Sequence, residues 1–534
     1  MKKYGLLFIV CMLVLSVQAI GGYKFRVQLK DKGRVGYTTD KPLDYLSQRA
    51  IDRRSKQQIS VDETDFPISA NYIQIIEGLG CKVIAKSKWN KTLNIYCADS
   101  SVVANIRMLA FVKQVDCVWL PSTSTKATDV EDMITQPRQN NSIDYYGYGL
   151  PQLDMLKGRF LHNRGYKGDD MQIAVIDAGF TELEQNTLLD NISILGTKDF
   201  VYEAGGENIH GFNVLTLMSA NRPATYVGTA PNASYWLLRS EDVRSETPVE
   251  EDYWVAAIEY ADSVGVDIVN SSLGYTVFDK PFSNYTWDDL DGKTSFISRA
   301  AEMATEKGIF VLNAAGNDGN KTFEKIGFPA DVEHVLTVGS VDADSLVSDF
   351  SSTGLTADGR IKPDVVALGR SVNFISSDGT LHKWDGTSYA APIVSGLVAC
   401  LWQAFPALTN YQLLDIIRKA GHKYTSPDKR YGSGIPDMEK AFRLAENGTS
   451  GIEQDIVEQK RFDIQFLSDG VLYIKNTVDT HVYQVIILDL NGRIVHNEKR
   501  YQVEQYFNLS SQVGKVFIVY IRGNGYTHSV KVMR

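Results

Sequence analysis

Three patterns of apolar and polar positions follow one another along the chain. Between residues 22 and 120 short strand-like and helix-like runs alternate. Residues 23–29, 82–86, 92–97 and 112–119 read as strands, and residues 70–79 and 100–109 carry helical spacing. Two helices among several strands predict a small α/β unit of the open-faced sandwich kind. From residue 145 to 445 the strand-length runs become almost wholly apolar, at 172–176, 234–238, 267–270, 309–313, 335–338 and 365–368. Runs without alternation belong to strands covered on both faces. Helical stretches at 249–264 and 296–307 separate some of them, so the pattern predicts a doubly wound parallel sheet with helices on both faces. Beyond residue 462, strand-like runs recur at 462–466, 471–475, 483–489, 493–496, 516–521 and 528–532. Asn491-Gly492 supplies a hairpin turn between two of them, and a small β-sandwich is expected.

Polar stretches divide these regions. Residues 121–144 are rich in Ser, Thr, Asp, Asn and Gln without apolar periodicity, an exposed linker open to cleavage. Glu446-Asn447-Gly448-Thr449-Ser450-Gly451 begins a second linker, expected over 446–461. A chain of 534 residues exceeds one compact domain. The expected order is a signal segment at 1–19, a first domain at 22–120, a linker at 121–144, a large domain at 145–445, a linker at 446–461 and a last domain at 462–534. Met1-Lys2-Lys3 precedes an apolar run that ends in Val17-Gln18-Ala19, the form of a cleaved secretory signal. A membrane span needs about 20 apolar residues, and this run is shorter. The mature chain is therefore expected to carry no transmembrane anchor and to be secreted or held at the cell surface.

Charge narrows the classes. A formal net charge of −9 with no concentrated basic tract argues against a nucleic-acid partner. Past the signal segment stand Cys81, Cys97, Cys117 and Cys400, with no C-x-x-C pair among them. A Cys81–Cys97 disulfide and buried free thiols both fit, and the pattern favours the thiols.

The chemistry lies in the large domain. Gly386-Thr387-Ser388-Tyr389-Ala390-Ala391-Pro392 opens the apolar run 393–405, so Ser388 stands at the start of a helix. Pro392 fits a first helical turn, where backbone N–H groups have no intrahelical partner. Free N–H groups and the positive helix end also favour charge developing on an attacked carbonyl. Upstream, Ile173-Ala174-Val175-Ile176-Asp177-Ala178-Gly179 ends a buried strand on Asp177, and His210-Gly211 enters an apolar-periodic helix.

Asp177, His210 and Ser388 follow the chain order of the acyl-transfer triad in subtilisin. With Ala314-Ala315-Gly316-Asn317 as a fourth motif, the region from about Tyr145 to about Ala445 resembles the subtilisin-like serine proteases. The resemblance implies a serine endopeptidase without a cofactor, acting on protein or peptide substrates. Ser388 would be the nucleophile, His210 the general base, Asp177 its orienting partner and Asn317 an oxyanion donor. It also implies that Ser272-Leu273-Gly274 pairs with the substrate backbone. Ala314, Ala315 and Gly316 would wall the main specificity pocket, with Gly327 at its floor. The first domain is similar to the propeptides of this family, which aid folding and then block the cleft, so the chain's own propeptide is an expected partner. A permanent substrate-binding domain is the alternative.

The last domain resembles the sorting domains of type IX secretion substrates through Leu488-Asp489-Leu490-Asn491-Gly492-Arg493, Gly514-Lys515-Val516-Phe517-Ile518 and Val530-Lys531-Val532-Met533-Arg534. That implies an outer-membrane secretion machinery as partner; a carbohydrate-binding or stabilising β domain competes. Some positions depart from the protease pattern. Phe212 and Ala178 replace residues that often carry hydroxyls, and Tyr389 replaces a frequent methionine. Residues 220–227 are poor in oxygen ligands, so no metal is expected there, and Asp288, Asp289 and Asp291 read as an exposed acidic turn. A catalytically weak or inactive binding protein of the same fold is the alternative to the enzyme.

Overall fold

The computed structural model describes residues 21–121, 144–181, 191–203, 205–458, 462–467, 470–476, 483–489, 493–500, 504–511, 516–523 and 526–533. The expected signal segment, nearly all of the linker 121–144 and the Asn491-Gly492 turn lie outside these residues. Two compact units are present, residues 1–442 and 443–534.

Seven parallel strands form the central sheet of the first unit. Their spatial order is Val365–Leu368, Leu336–Val341, Phe310–Ala314, Ile268–Ser271, Gln172–Asp177, Ser234–Arg239 and Ser193–Asp199. Ile173 to Ile176 are fully buried, as uninterrupted apolar runs require of a sheet covered on both faces. Helices Val249–Val264 and Phe296–Glu306 pack over Ala174, Ile176, Val269 and Val311. Helices His210–Ser219 and Thr387–Ala404 pack against one another and the sheet. The doubly wound architecture is the one the apolar runs predict.

The N-terminal region forms an antiparallel sheet in the order Cys81–Ser87, Thr92–Cys97, Tyr23–Leu29, Val112–Trp119. Cys81 and Cys97 face each other across two of these strands and are joined as a disulfide. The expectation of free thiols is thus corrected for this pair: the register sets the two Cα atoms 4.6 Å apart. Cys117 and Cys400 are free.

This sheet docks on the helix Val249–Val264 through buried polar contacts. Glu259 accepts from Ser87 Oγ (2.5 Å) and from the N–H groups of Lys88 (2.8 Å) and Trp89 (3.0 Å). The Trp89 ring joins the core cluster around Trp254 and Ile297. Asp262, fully buried, receives Arg53 (2.6 Å), Arg54 (2.8 Å) and Lys88 (3.2 Å). Burial pushes its carboxyl up, but the charges of Lys88, Arg54 and Arg53 outweigh burial and hold it below the usual range.

Both arginines come from a helix that the apolar pattern does not reveal, Gln48–Lys56, whose buried residues are Ala50, Arg53 and Arg54. Its inward face is charged, so hydrophobic periodicity is silent there.

In the second unit, two antiparallel sheets stand in the orders Phe462–Leu467, Val471–Asn476, Glu504–Asn508 and Ile494–Arg500, Tyr483–Asp489, Val516–Gly523, Tyr526–Met533. Leu472, Ile474 and Phe507 of one sheet meet Val485, Ile487, Val519 and Ile521 of the other in a single apolar cluster. The stretch read as the start of a linker is helical instead, within Met438–Glu458. Gly448 and Gly451 each cost a helix only about 1 kcal/mol, and good helix formers flank them on both sides.

Candidate active site

Asp177 ends its strand and is fully buried, His210 is the first residue of its helix, and Ser388 is the second residue of the long helix Thr387–Ala404. His210 Nδ1 lies 2.6 Å from Asp177 Oδ1, which also accepts the backbone N–H of Ala178 at 2.7 Å. Asn208 fixes the helix start by accepting the His210 N–H at 3.0 Å. The imidazole ring lies 5.9 Å from the ring of Tyr389, the residue after Ser388. Three segments far apart in sequence therefore bring an aspartate, a histidine and a serine to one place at the carboxyl edge of the sheet, where open α/β folds gather their functional groups.

Asn317 follows the strand Phe310–Ala314 and faces the same helix start. Its Oδ1 accepts from Thr387 N (3.0 Å) and Thr387 Oγ1 (3.0 Å). A backbone N–H can only donate, so this contact fixes the amide and leaves the NH2 end to donate elsewhere. The N–H of Ser388, in the first helical turn, has no intrahelical acceptor. Both donors suit a carbonyl oxygen that gains negative charge.

Pro392 departs from the sequence expectation. The helix begins at Thr387, so Pro392 is its sixth residue and lies in the second turn. A residue there would normally donate its N–H to the Ser388 carbonyl, and proline has none to give. The Ser272 hydroxyl donates to that carbonyl instead, at 3.0 Å, while Ser388 Oγ donates to the Ser272 carbonyl at 3.2 Å.

A cleft of about 460 Å³ opens beside Ser388. Of the sequence-derived pocket residues, Ser272, Leu273, Gly274, Ala314, Gly316 and Gly327 line it. Ala315 does not; it lies fully buried behind the wall, its carbonyl accepting the Gly327 N–H at 3.1 Å. Gly316 has φ 107°, and a Cβ there would come 2.9 Å from Ser352 Oγ, so only glycine fits. A Cβ on Gly327 would meet Gly274 Cα at 3.4 Å, an ordinary contact, so a side chain added there would occupy space in the cleft.

The residues that sequence reasoning missed come from loops without periodicity: Glu246, Thr276, Val277, Phe278 and Asp279, with Asp318 and Lys321 at the rim. Lys321 pairs with Asp318 at 3.0 Å. Glu241 and Tyr275 are buried nearby and hydrogen-bonded, the phenol donating to the carboxylate. Burial above all, then the charge of Glu246, raises the Glu241 carboxyl well beyond its usual range.

Tyr389 is 1% exposed and stacks on Phe374 with centroids 5.1 Å apart, so it packs beneath the helix start. Thr286 and Asp289 form a reciprocal cap, and Asp291 accepts from Lys293 and Thr294, as an acidic turn would. Among the described residues no group of three or more His, Cys, Asp and Glu is placed to hold a metal ion, and no helix is long and apolar enough to cross a membrane.

Residues 24–133 match the peptidase S8 propeptide domain of Bacteroidota. Subtilisin E of Bacillus subtilis is 29% identical over 303 residues, which cover 55% of this chain and 70% of the relative. Subtilisin DY of Bacillus licheniformis is 28% identical over 300 residues, 55% of this chain and 97% of the relative. The alkaline protease of Alkalihalobacillus alcalophilus is 26% identical over 328 residues, 61% of this chain and 78% of the relative. Residues 168–434, half of the chain, match the subtilase family, and the chain belongs to that family.

Proposed function

We propose that the protein is a secreted serine endopeptidase made as a self-processing zymogen. The observation that carries this reading is the convergence of Ser388, Asn317 and the Asp177-held His210, with Ser388 and Asn317 lining a cleft of about 460 Å³. Ser388 Oγ attacks the scissile carbonyl carbon while His210 takes its proton, and Asp177 keeps the imidazole in the tautomer that can accept it. Asn317 and the Ser388 N–H receive the oxyanion. The carbon–nitrogen bond then breaks, His210 returns the proton to the leaving amine, and an acyl-enzyme remains. Water deprotonated by His210 attacks this ester, and the acid product leaves with Ser388 restored.

Substrate backbone adds as a strand along Ser272-Leu273-Gly274. Ala314, Gly316 and Gly327 bound the pocket before the cut bond, with Ala315 supporting it. Residues 1–19 act as the export signal, 22–120 as the propeptide and 121–144 as the processing region. Residues 145–445 form the peptidase, and 462–534 act as a sorting domain read by a type IX secretion machinery. The match to a propeptide family and the buried contacts of Glu259 and Asp262 support the zymogen.

Hydrolysis of a fluorogenic peptide library by the processed protein tests the activity. Ser388→Ala, its N-terminal region removed in trans by an added protease that is then separated, should lower turnover by at least about 10⁴-fold. Equal hydrolysis by parent and variant would overturn the proposal.

A further inference from the structure

Ser272 does more than offer its backbone to a substrate. Its hydroxyl and carbonyl both engage Ser388: Ser272 Oγ donates to the Ser388 carbonyl (3.0 Å), and Ser388 Oγ donates to the Ser272 carbonyl (3.2 Å). The first contact occupies the place of a missing helix bond, because residue 392, four beyond Ser388, is proline. Asn270 steadies the hydroxyl, its Nδ2 donating to Ser272 Oγ at 3.2 Å while its Oδ1 accepts from Ser395 Oγ at 2.8 Å. Asn270 and Ser395 are fully buried, and Ser272 and Ser388 nearly so, at 6% and 9% exposed. A buried carbonyl without a donor is costly, so the Ser388 backbone is held where the Ser272 hydroxyl can reach it.

We infer that Ser272 is a positioning residue for the nucleophile: its hydroxyl replaces the backbone donor that Pro392 removes, and so sets the pose of Ser388. The segment that follows the strand Ile268–Ser271 and the helix that carries the nucleophile are thereby locked together by side chain as well as by packing. The inference rests on Ser388 acting as the nucleophile.

The test is a double-mutant cycle on the processed enzyme, with active sites counted by a fluorophosphonate label. Ser272→Ala should lower kcat per labelled site about tenfold with KM nearly unchanged, the effect of one lost hydrogen bond at a reacting group. Ser272→Thr, which keeps the hydroxyl, should recover most of that loss. In a Pro392→Ala background residue 392 regains an N–H for the Ser388 carbonyl, so adding Ser272→Ala should change kcat less than twofold. A merely structural role would lower the number of labelled sites and leave kcat per site unchanged. The inference is overturned if kcat per site survives Ser272→Ala, or if the loss is the same in both backgrounds. Should Pro392→Ala not fold, the comparison of Ser272→Ala with Ser272→Thr decides alone, and equal losses overturn it. Absence of label on Ser388 in the parent would instead refute the peptidase reading itself.

Discussion

The backbone N–H of Ala178 donates to the same Asp177 oxygen that holds His210, and the second carboxylate oxygen, Asp177 Oδ2, is buried without a hydrogen-bond partner among the described residues. A hydroxyl at position 178 would begin one residue away and could donate to it. Ala178→Ser should therefore stabilise the folded chain by about 1 kcal/mol. Denaturant midpoints in a Ser388→Ala background, which avoids self-digestion, give the comparison. A lower midpoint would mean that the oxygen is already satisfied.

Gly274 and Gly327 lie side by side in the lining of the cleft. Its apolar lining, with Leu273, Val277 and Phe278, favours large apolar or aromatic residues before the cut bond, a preference of roughly 1.5–3 kcal/mol. Gly327→Val should penalise the largest side chains most. Glu246 and Asp279 also line the cleft, so a basic side chain is the natural competitor. Profiling on a peptide library separates the two: cleavage mainly after Lys or Arg would contradict the apolar preference.

His162 is buried beside Thr229, whose carbonyl lies 3.0 Å from Nε2. Burial first, and the charge of Lys167 in addition, lowers its pKa to about 4. A histidine held neutral in the fold contributes stability that is present above its unfolded pKa, near 6.5, and lost as pH falls toward 4. The loss should reach about 3 kcal/mol across that window. His162→Gln should flatten this part of the stability profile measured on the Ser388→Ala chain. An unchanged slope would assign the acid sensitivity to other groups.

Self-processing makes a separate prediction. Ser388→Ala expressed alone should keep its N-terminal region, whereas the parent should be cut within residues 121–144. Intact mass reads both outcomes, and normal maturation of the variant would show that another protease makes the cut.

Burial patterns explain why some of this was legible in sequence and some was not. In the strand ending in Asp177, Ile173 to Ile176 are all apolar and all buried, so its position and its end could be read directly. His210 at a helix start was equally legible. The edge strand Ser193–Asp199 was not, because its residues are mostly exposed and mixed in character. Helix Gln48–Lys56 buries arginines against Asp262, a partner 208 residues away from Arg54, and no local pattern encodes that pairing. The role of the Ser272 hydroxyl was hidden for the same reason: only the fold brings it to the carbonyl that Pro392 leaves open. Ala315 shares a motif with Ala314 and Gly316, but alternation along the chain turns it away from the cleft that they line.

The central claim is that Ser388 is a nucleophile activated by His210. Reaction of the processed protein with a fluorophosphonate, followed by peptide mass spectrometry, tests it most directly. One adduct per chain is expected, on the peptide containing Ser388, absent from Ser388→Ala and formed far more slowly in His210→Ala, the N-terminal region of both variants being first removed in trans by an added protease that is then separated. No adduct on Ser388, or labelling that persists in Ser388→Ala, would contradict the account.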